Sequence, residues 1–199
     1  MGEEGKFSES SPLLPNNPYS ASKASADMIC KSYNKSFSFP VTILRGSNIY
    51  GPYQYPEKLI PAMVSKALND EPLTIYGKGN EIRDWLYVAD YVSAVEKVLE
   101  NNISGEVYNV GGGQERKNIE VVRGIKKTLK KNSSLEHIDP EILFIKDPRG
   151  KAHDFRYALD YTKINRELNW QPQVGFETGL VDTVNWYIES RDWIDKVID

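Results

Sequence analysis

The chain has 199 residues, of which 40% are hydrophobic and 11% aromatic, so it can bury the core of one domain or of one and a half. Its formal net charge of -3 at pH 7, without a dense basic stripe, argues against binding to nucleic acid or to an acidic membrane surface. No apolar run reaches roughly eighteen residues and no charged-then-apolar leader is present, so we predict neither a membrane span nor a signal peptide.

The first half of the chain predicts a loop, two helices and two strands. Residues 2–17 are polar and dotted with proline, which is typical of an approach loop. A helix predicted over 18–35 leads to an apolar run at 40–45, and a helix followed by a buried strand is typical of a parallel α/β sheet. Proline-rich turns then lead to a predicted helix at 58–69 and a strand at 73–76, which we take as the start of a smaller lobe.

The second half continues the alternation of strands and helices. The predicted strands cover 82–88, 106–110 and 142–146, and the predicted helices cover 89–100, 119–131, 162–169 and 176–190. Asp84 and Asp90 flank the junction between the first of these strands and its helix. We predict that both aspartates are structural residues that hold this junction.

A tyrosine and a lysine at the start of the first helix form a candidate catalytic pair. Tyr19 and Lys23 are four residues apart, so they lie on the same helical face, one turn apart. The Lys23 cation favours the phenolate form of Tyr19, which would make Tyr19 a usable base, although an exposed surface pair has the same spacing. Asn16 or Asn17 can cap the helix, and Pro18 suits its first turn. The surrounding residues are small and leave room for a large flat ligand.

The run P-Y-S-A-S-K-A-S-A-D at 18–27 resembles the active-site helix of the extended short-chain dehydrogenase/reductase family, which includes the nucleotide-sugar epimerases and dehydratases. The resemblance implies that Tyr19 is the catalytic base and that Tyr19 and Lys23 bind NAD, with Lys23 at the ribose. Family members usually form homodimers through this helix and its neighbour. Cys30 is the only cysteine, so an internal disulfide is impossible, which fits a reducing, cytoplasmic location. We interpret Cys30 as a packing residue.

The run R-G-S-N-I-Y-G-P-Y-Q-Y-P-E-K-L-I-P-A at 45–62 closely resembles the dTDP-glucose 4,6-dehydratases within that family. Asn48 follows a predicted strand, at the carboxyl edge where open α/β sheets bind ligands, although an ordinary turn residue would occupy the same place. The resemblance implies that Asn48, Lys58 and Leu59 contact the substrate. It also implies that Ile49 lies near the nicotinamide of the cofactor.

The segments T-I-Y-G-K-G at 74–79 and I-R-D-W-L-Y-V-A-D at 82–90 also resemble this family. Arg83 carries a forked guanidinium that can donate in parallel pairs to a diphosphate, with an ordinary surface arginine as the alternative. The resemblance implies that Thr74, Ile75 and Tyr76 line the pocket of the nucleotide base.

Two further segments match substrate contacts of the family. Asn109, in the run Y-N-V-G-G, matches one of them. The segment 147–157 resembles a diphosphate-binding loop, but it is two residues longer than usual and has its proline and arginine transposed. Both Arg149 and His153 are predicted to bind the substrate. Arg149 is the weaker match, and a buried structural histidine is the alternative for His153.

Features of a complete family member are missing from the chain. A dinucleotide-binding fold uses a G-x-x-G-x-x-G turn and an acidic residue for the ribose, and the glycines at 111–113 lack that spacing. The resemblance also implies a Thr-Asp-Glu triplet shortly before the loop that matches residues 1–11, with its aspartate as acid and its glutamate as base in the loss of water, and the sequence does not contain this triplet. We therefore expect a truncated form that is inactive alone.

The predicted fold class is α/β, with the second half of a Rossmann-like parallel sheet and a smaller α/β lobe that binds the substrate. Residues 1–50 and 82–101 are assigned to the NAD-binding domain, 51–81 and 102–175 to the sugar-nucleotide lobe, and 176–199 to a helical C-terminal segment. No metal site is predicted.

The leading functional hypothesis is NAD-dependent dehydration of dTDP-glucose to dTDP-4-keto-6-deoxyglucose, a hydro-lyase reaction. In the mechanism that the resemblance implies, Tyr19 takes the proton of the sugar 4-hydroxyl while hydride passes to NAD and later returns. Two alternatives remain open. One is a UDP-sugar epimerase or UDP-glucose 4,6-dehydratase, and the other is a non-catalytic remnant that binds a sugar nucleotide or pairs with a longer homologue.

Overall fold

A computed structural model describes residues 5–132, 135–148 and 154–198 of the chain. The predicted substrate contacts Arg149 and His153 therefore lie outside the described residues. Within the described ranges, no helix combines the length and the apolar character needed to cross a bilayer.

The predicted helices and strands are present, with bounds that shift by a few residues. The helices are α1 Pro18–Phe37, α2 Leu59–Leu68, α3 Val88–Glu100, α4 Asn118–Lys131, α5 Thr162–Leu168, α6 Phe176–Glu189 and α7 Arg191–Ile198. The strands are β1 Ile43–Gly46, β2 Asn48–Tyr50, β3 Leu73–Tyr76, β4 Ile82–Tyr87, β5 Val107–Val110, β6 Glu115–Lys117, β7 Ile142–Ile145 and β8 Arg156–Tyr157. Helix α7 lies within the predicted helical segment 176–199, for which the sequence analysis gave bounds only to residue 190, and the short strands β2, β6 and β8 were missed.

Most of the strand pairs are parallel, which confirms the predicted α/β fold class. Strand β1 pairs with β5, β2 with β4, and β3 with β7, each in parallel register. Strand β4 also takes β6 as an antiparallel neighbour and β8 as a parallel one. Strand β4 therefore pairs with three other strands, β2, β6 and β8.

Two hydrophobic clusters stabilise the fold. The larger one lies among α2, α4 and α6, and its fully buried members include Val64, Ile125, Leu129, Val184 and Tyr187. The smaller one packs α3 and α5 on β5, around Leu86, Tyr108, Val110 and Ile164. Burial of each such side chain contributes about 1.5–3 kcal/mol to stability. The two clusters therefore stabilise the packing of the helices on the strands that carry the site.

The predicted division into lobes stays a prediction, and two observations bear on its boundaries. Strand β5 belongs to a sheet with β1, although residues 102–175 were assigned to the smaller lobe. Helix α6, which forms most of the predicted C-terminal segment, packs in the larger cluster against α2 and α4 and is therefore part of a core.

Helix α1 begins at a defined cap and has little buried surface. The Asn17 side chain accepts a hydrogen bond from the Ser20 backbone N–H at 2.8 Å, which selects Asn17 from the two predicted caps. Ser38 ends the helix in a left-handed conformation. Ala24 is the buried residue of this helix, while Met28, Ile29 and Tyr33 are exposed.

Candidate functional site

The predicted catalytic pair lies on the open first turns of α1. Tyr19 is 73% exposed and Lys23 is exposed as well, so a ligand can approach both residues. The Asp27 carboxylate, one turn after Lys23, accepts a hydrogen bond from Arg45 Nε at 2.7 Å. This ion pair fixes the helix that carries Tyr19 to the end of β1. The catalytic role of the pair stays a prediction.

The second group of predicted residues lies at the end of β1 and in β2. Asn48 is the first residue of β2 and pairs with Trp85 of β4. The Gln54 side chain folds back and donates from Nε2 to the Ile49 carbonyl at 2.8 Å. The hydroxyl of the buried Tyr187 donates to the Gln54 carbonyl at 2.7 Å, so α6 holds the turn that follows Asn48 and Ile49.

The predicted contacts at the start of α2 differ in exposure. Lys58 is exposed, precedes the first helical residue and lies 2.6 Å from the Glu57 carboxylate. Leu59 is half-buried and packs against the larger cluster. Lys58 is therefore the one of the two whose side chain can reach a ligand without rearrangement.

The three predicted base-pocket residues lie on β3 and face opposite sides of it. Alternate side chains of a strand point to opposite faces. Ile75 is 4% exposed and packs in the larger cluster, and its contact with a nucleotide base stays a prediction. Thr74 accepts a hydrogen bond from Lys66 Nζ at 2.8 Å, and Tyr76 is partly exposed on the same face as Thr74.

Arg83 lies on β4 beside the segment that follows residues 149–153. Its Nη2 donates to the Asp154 carbonyl at 2.8 Å, and its Nη1 donates to the Ile82 carbonyl at 2.7 Å and to the Phe155 carbonyl at 3.3 Å. Arg83 is half-buried and bonds the backbone of the predicted diphosphate loop, and its contact with a diphosphate stays a prediction.

Asn109 lies at the centre of a hydrogen-bonded group on β5. It is 1% exposed, its Nδ2 donates to the Phe7 carbonyl at 2.8 Å, and its backbone N–H donates to Glu9 Oε1 at 2.8 Å. Its Oδ1 is buried and has no hydrogen-bond partner among the residues that the structure describes. The predicted loop at the start of the chain thus reaches into the candidate site.

The loop that contains the glycines at 111–113 is bound to Asp84. The buried Asp84 carboxylate accepts the Gly112 N–H at 3.1 Å and the Gln114 N–H at 2.9 Å, so these amides are already bonded. Burial raises the pKa of the Asp84 carboxyl, and the two amides oppose this effect. Asp84 is confirmed as a structural residue.

Asp90 is confirmed as structural in the same way. Its buried carboxylate accepts the Gln173 N–H and the Val174 N–H, each at 3.0 Å. Asp84 and Asp90 bind loops that are distant in sequence, whereas the prediction placed their role at the junction of strand and helix.

The sequence analysis missed an arginine and a glutamate beside the site. Arg156 on β8 binds Glu115 on β6 through two nitrogens, at 2.6 Å and 2.7 Å, and the pair bridges β8 to β6. The Arg45 Nη1 also donates to the Glu9 carbonyl, at 3.3 Å. No local signal predicts these pairs, because the partners lie far apart in the chain.

The strand ends bring the candidate residues to one edge. Arg45 and Asn109 are register partners, and the Ser47 N–H donates to the Val110 carbonyl at 3.0 Å. Asn48 therefore follows β1 where β5 also ends, as expected for a ligand site at the carboxyl edge of parallel strands.

Comparison with known proteins agrees with this fold. A family model described as GDP-mannose 4,6 dehydratase matches residues 2–183. That match covers most of the chain, which therefore belongs to this family, and the resemblance found in the sequence is confirmed.

Individual relatives carry more specific names. The chain is 45% identical to a dTDP-glucose 4,6-dehydratase of Xanthomonas campestris pv. campestris over 202 aligned residues, covering 100% of the chain and 57% of that protein. A dTDP-glucose 4,6-dehydratase of Bacillus anthracis, solved in complex with NAD, is 46% identical with a TM-score of 0.88, covering 99% of this chain and 60% of that one. The chain thus spans little more than half the length of these relatives.

A more distant solved structure is a UDP-glucuronic acid 4-epimerase of Bacillus cereus, in complex with UDP-glucuronic acid and NAD. It is 28% identical with a TM-score of 0.84, covering 94% of this chain and 57% of that one. The fold is therefore similar among dehydratases and epimerases.

Proposed function

We propose that the chain binds the nucleotide-sugar substrate of a dTDP-glucose 4,6-dehydratase, which converts dTDP-glucose to dTDP-4-keto-6-deoxyglucose. The observation that carries this proposal is the placement of Asn48 and Asn109 at one edge of the parallel strands. Arg83, beside the diphosphate loop, supports it. The substrate contacts proposed with them are Lys58, Leu59, Thr74, Ile75, Tyr76, Arg149 and His153.

Tyr19, Lys23 and Ile49 are the residues proposed to contact NAD, at its nicotinamide end. Tyr19 and Lys23 are exposed on an open helical face, with room for a large flat group, and Ile49 would lie near the nicotinamide. NAD, when bound, supplies hydride acceptance and return. Tyr19 would take the proton of the sugar 4-hydroxyl, and Lys23 would hold the ribose. The chain contains no G-x-x-G-x-x-G turn to receive the pyrophosphate.

A cytoplasmic location and a homodimer complete the proposal. Met28 and Ile29 on α1 and Val92 and Leu99 on α3 are exposed apolar residues, which would be covered if α1 and α3 packed against a second copy.

Binding of dTDP-glucose to the purified 199-residue chain tests the proposal. In isothermal titration calorimetry we expect saturable binding, and we expect Arg83→Met to weaken it at least about tenfold, because charge-assisted hydrogen bonds to a diphosphate are lost. Arg166→Met is the matched control, since Arg166 is exposed on α5 and pairs with Glu167. The proposal fails if the wild-type chain does not bind, or if both variants bind equally well.

Turnover tests the separate expectation that this chain is incomplete as a catalyst. We incubate the chain with dTDP-glucose and NAD and follow the mass of the sugar nucleotide by mass spectrometry. We expect no loss of water. The reason is that the sequence contains neither the dinucleotide turn nor the acid and base pair for dehydration. Appreciable turnover by the purified chain would contradict this expectation.

A further inference from the structure

The first described residues form a strap, defined here as residues 5–9, along β8 and β5. The Phe7 N–H donates to the Ala158 carbonyl at 2.9 Å, and the Phe7 carbonyl accepts the Asp160 N–H at 2.9 Å. The Phe7 and Tyr157 rings lie 5.6 Å apart, which adds an aromatic contact. The strap is therefore held in one register against the segment that follows the diphosphate loop.

The strap also holds the side chain of Asn109. The same Phe7 carbonyl accepts a hydrogen bond from Asn109 Nδ2 at 2.8 Å, and Glu9 Oε1 accepts one from the Asn109 N–H at 2.8 Å. Arg45 Nη1 donates to the Glu9 carbonyl, so Glu9 is held from the β1 side as well. The strap connects Asn109, β8 and the arginine that is paired with α1.

These bonds fix which end of the Asn109 amide is available. A carbonyl such as that of Phe7 can only accept, so the nitrogen of the amide must face it. The oxygen then points away from the strap, where it is buried and without a hydrogen-bond partner in the described ranges. Buried acceptors in folded proteins are nearly always paired, so we expect a bound molecule to donate a hydrogen bond to this oxygen.

We propose that the strap is a positioning element of the nucleotide-sugar site, and that it orients Asn109 so that Oδ1 accepts a hydrogen bond from a ligand hydroxyl. A diphosphate oxygen offers no donor and does not fit this orientation. Glu9 acts through Asn109 and need not touch the ligand. This inference rests on the proposed function, because it takes Asn109 as a substrate contact.

A double-mutant cycle in the 199-residue chain tests the link between Glu9 and Asn109. By calorimetry with dTDP-glucose, we expect Glu9→Ala to weaken binding about tenfold, whereas Glu9→Gln keeps an oxygen that accepts the Asn109 N–H and stays within about threefold. In the Asn109→Ala background, Glu9→Ala should have no further effect, because the two residues act as one unit. Glu100→Ala, at the exposed end of α3, is the matched control.

Two results would overturn the inference. One is that Glu9→Ala binds dTDP-glucose as tightly as wild type. The other is that Glu9→Ala weakens binding by the same factor in the Asn109→Ala background as in the wild-type chain. Inorganic pyrophosphate is a second probe, since it presents acceptor oxygens. Its affinity should not change in Asn109→Ala, and a loss would show that Asn109 faces phosphate.

A measurement without ligand separates this inference from the proposed function. In the wild-type chain, the Asn109 side-chain amide protons should exchange slowly with solvent in NMR spectra, and Glu9→Ala should accelerate this exchange. If dTDP-glucose does not bind but the exchange responds, the proposed function fails and the positioning by the strap stands. If the exchange is unchanged, the strap does not hold Asn109.

Discussion

Gly112→Ala should prevent the chain from folding stably. A Cβ atom at this position would lie 1.8 Å from the Trp85 carbonyl oxygen and 2.6 Å from its carbon. Both are backbone atoms of β4, so they cannot turn aside as a flexible side chain would. Relief requires the loop to separate from β4, which would break the hydrogen bonds that its amides donate to Asp84.

The expected cost is about 4 kcal/mol or more, which is a large part of the stability of an ordinary domain. Urea unfolding followed by tryptophan fluorescence and circular dichroism measures it. Gly175→Ala is the matched control, because a Cβ there meets no atom within 4 Å, and the change at this helix N-cap should cost no more than about 1 kcal/mol. Similar stabilities of the two variants would contradict the close packing of the loop on β4.

Asp84→Ala should be the second most damaging change. It removes the carboxylate that accepts two backbone N–H groups, of Gly112 and Gln114, at a position only 1% exposed. A buried unpaired donor costs about 1–3 kcal/mol, so the free energy of unfolding should fall by roughly 3 kcal/mol. Asp84→Asn should lie between Asp84→Ala and wild type, because its amide oxygen can still accept one of the two bonds.

The same residue predicts a pH dependence with a definite sign. Burial raises the pKa of the Asp84 carboxyl in the folded state above its ordinary value of 3.8, so the folded chain binds this proton more tightly than the unfolded chain. The resulting stabilisation is complete below the ordinary value and is lost as pH rises through the folded pKa. The stability difference between wild type and Asp84→Ala should therefore shrink from about pH 3.5 to pH 7 in urea unfolding. A difference that grows with pH would contradict this sign.

Local sequence patterns predicted most of the fold because helices and long strands follow side-chain periodicity. The short strands β2, β6 and β8 have too few residues to show a period, and they exist because each pairs with β4. Helix α7 falls within the predicted helical segment 176–199, although its own bounds were not predicted. The short strands therefore depend on pairing between distant segments, which side-chain periodicity does not show.

The candidate site was predictable mainly through family resemblance. Spacing alone predicted the shared face of Tyr19 and Lys23, and the irregular glycine spacing excluded a dinucleotide turn at 111–113. The partners of Asp84 and the contacts of Glu9 with Asn109 bridge large distances along the chain, so no local pattern could reveal them. Ile75 shows the same limit, because its place in the core depends on helices α2 and α4.

The most direct test of the account is the relative affinity of the 199-residue chain for dTDP-glucose and UDP-glucose, by calorimetry under one set of conditions. We predict tighter binding of dTDP-glucose, since the dTDP-glucose 4,6-dehydratases are more similar to this chain than the UDP-glucuronic acid 4-epimerase. Equal affinity, or tighter binding of UDP-glucose, would contradict the proposal and favour a UDP-sugar epimerase or UDP-glucose 4,6-dehydratase.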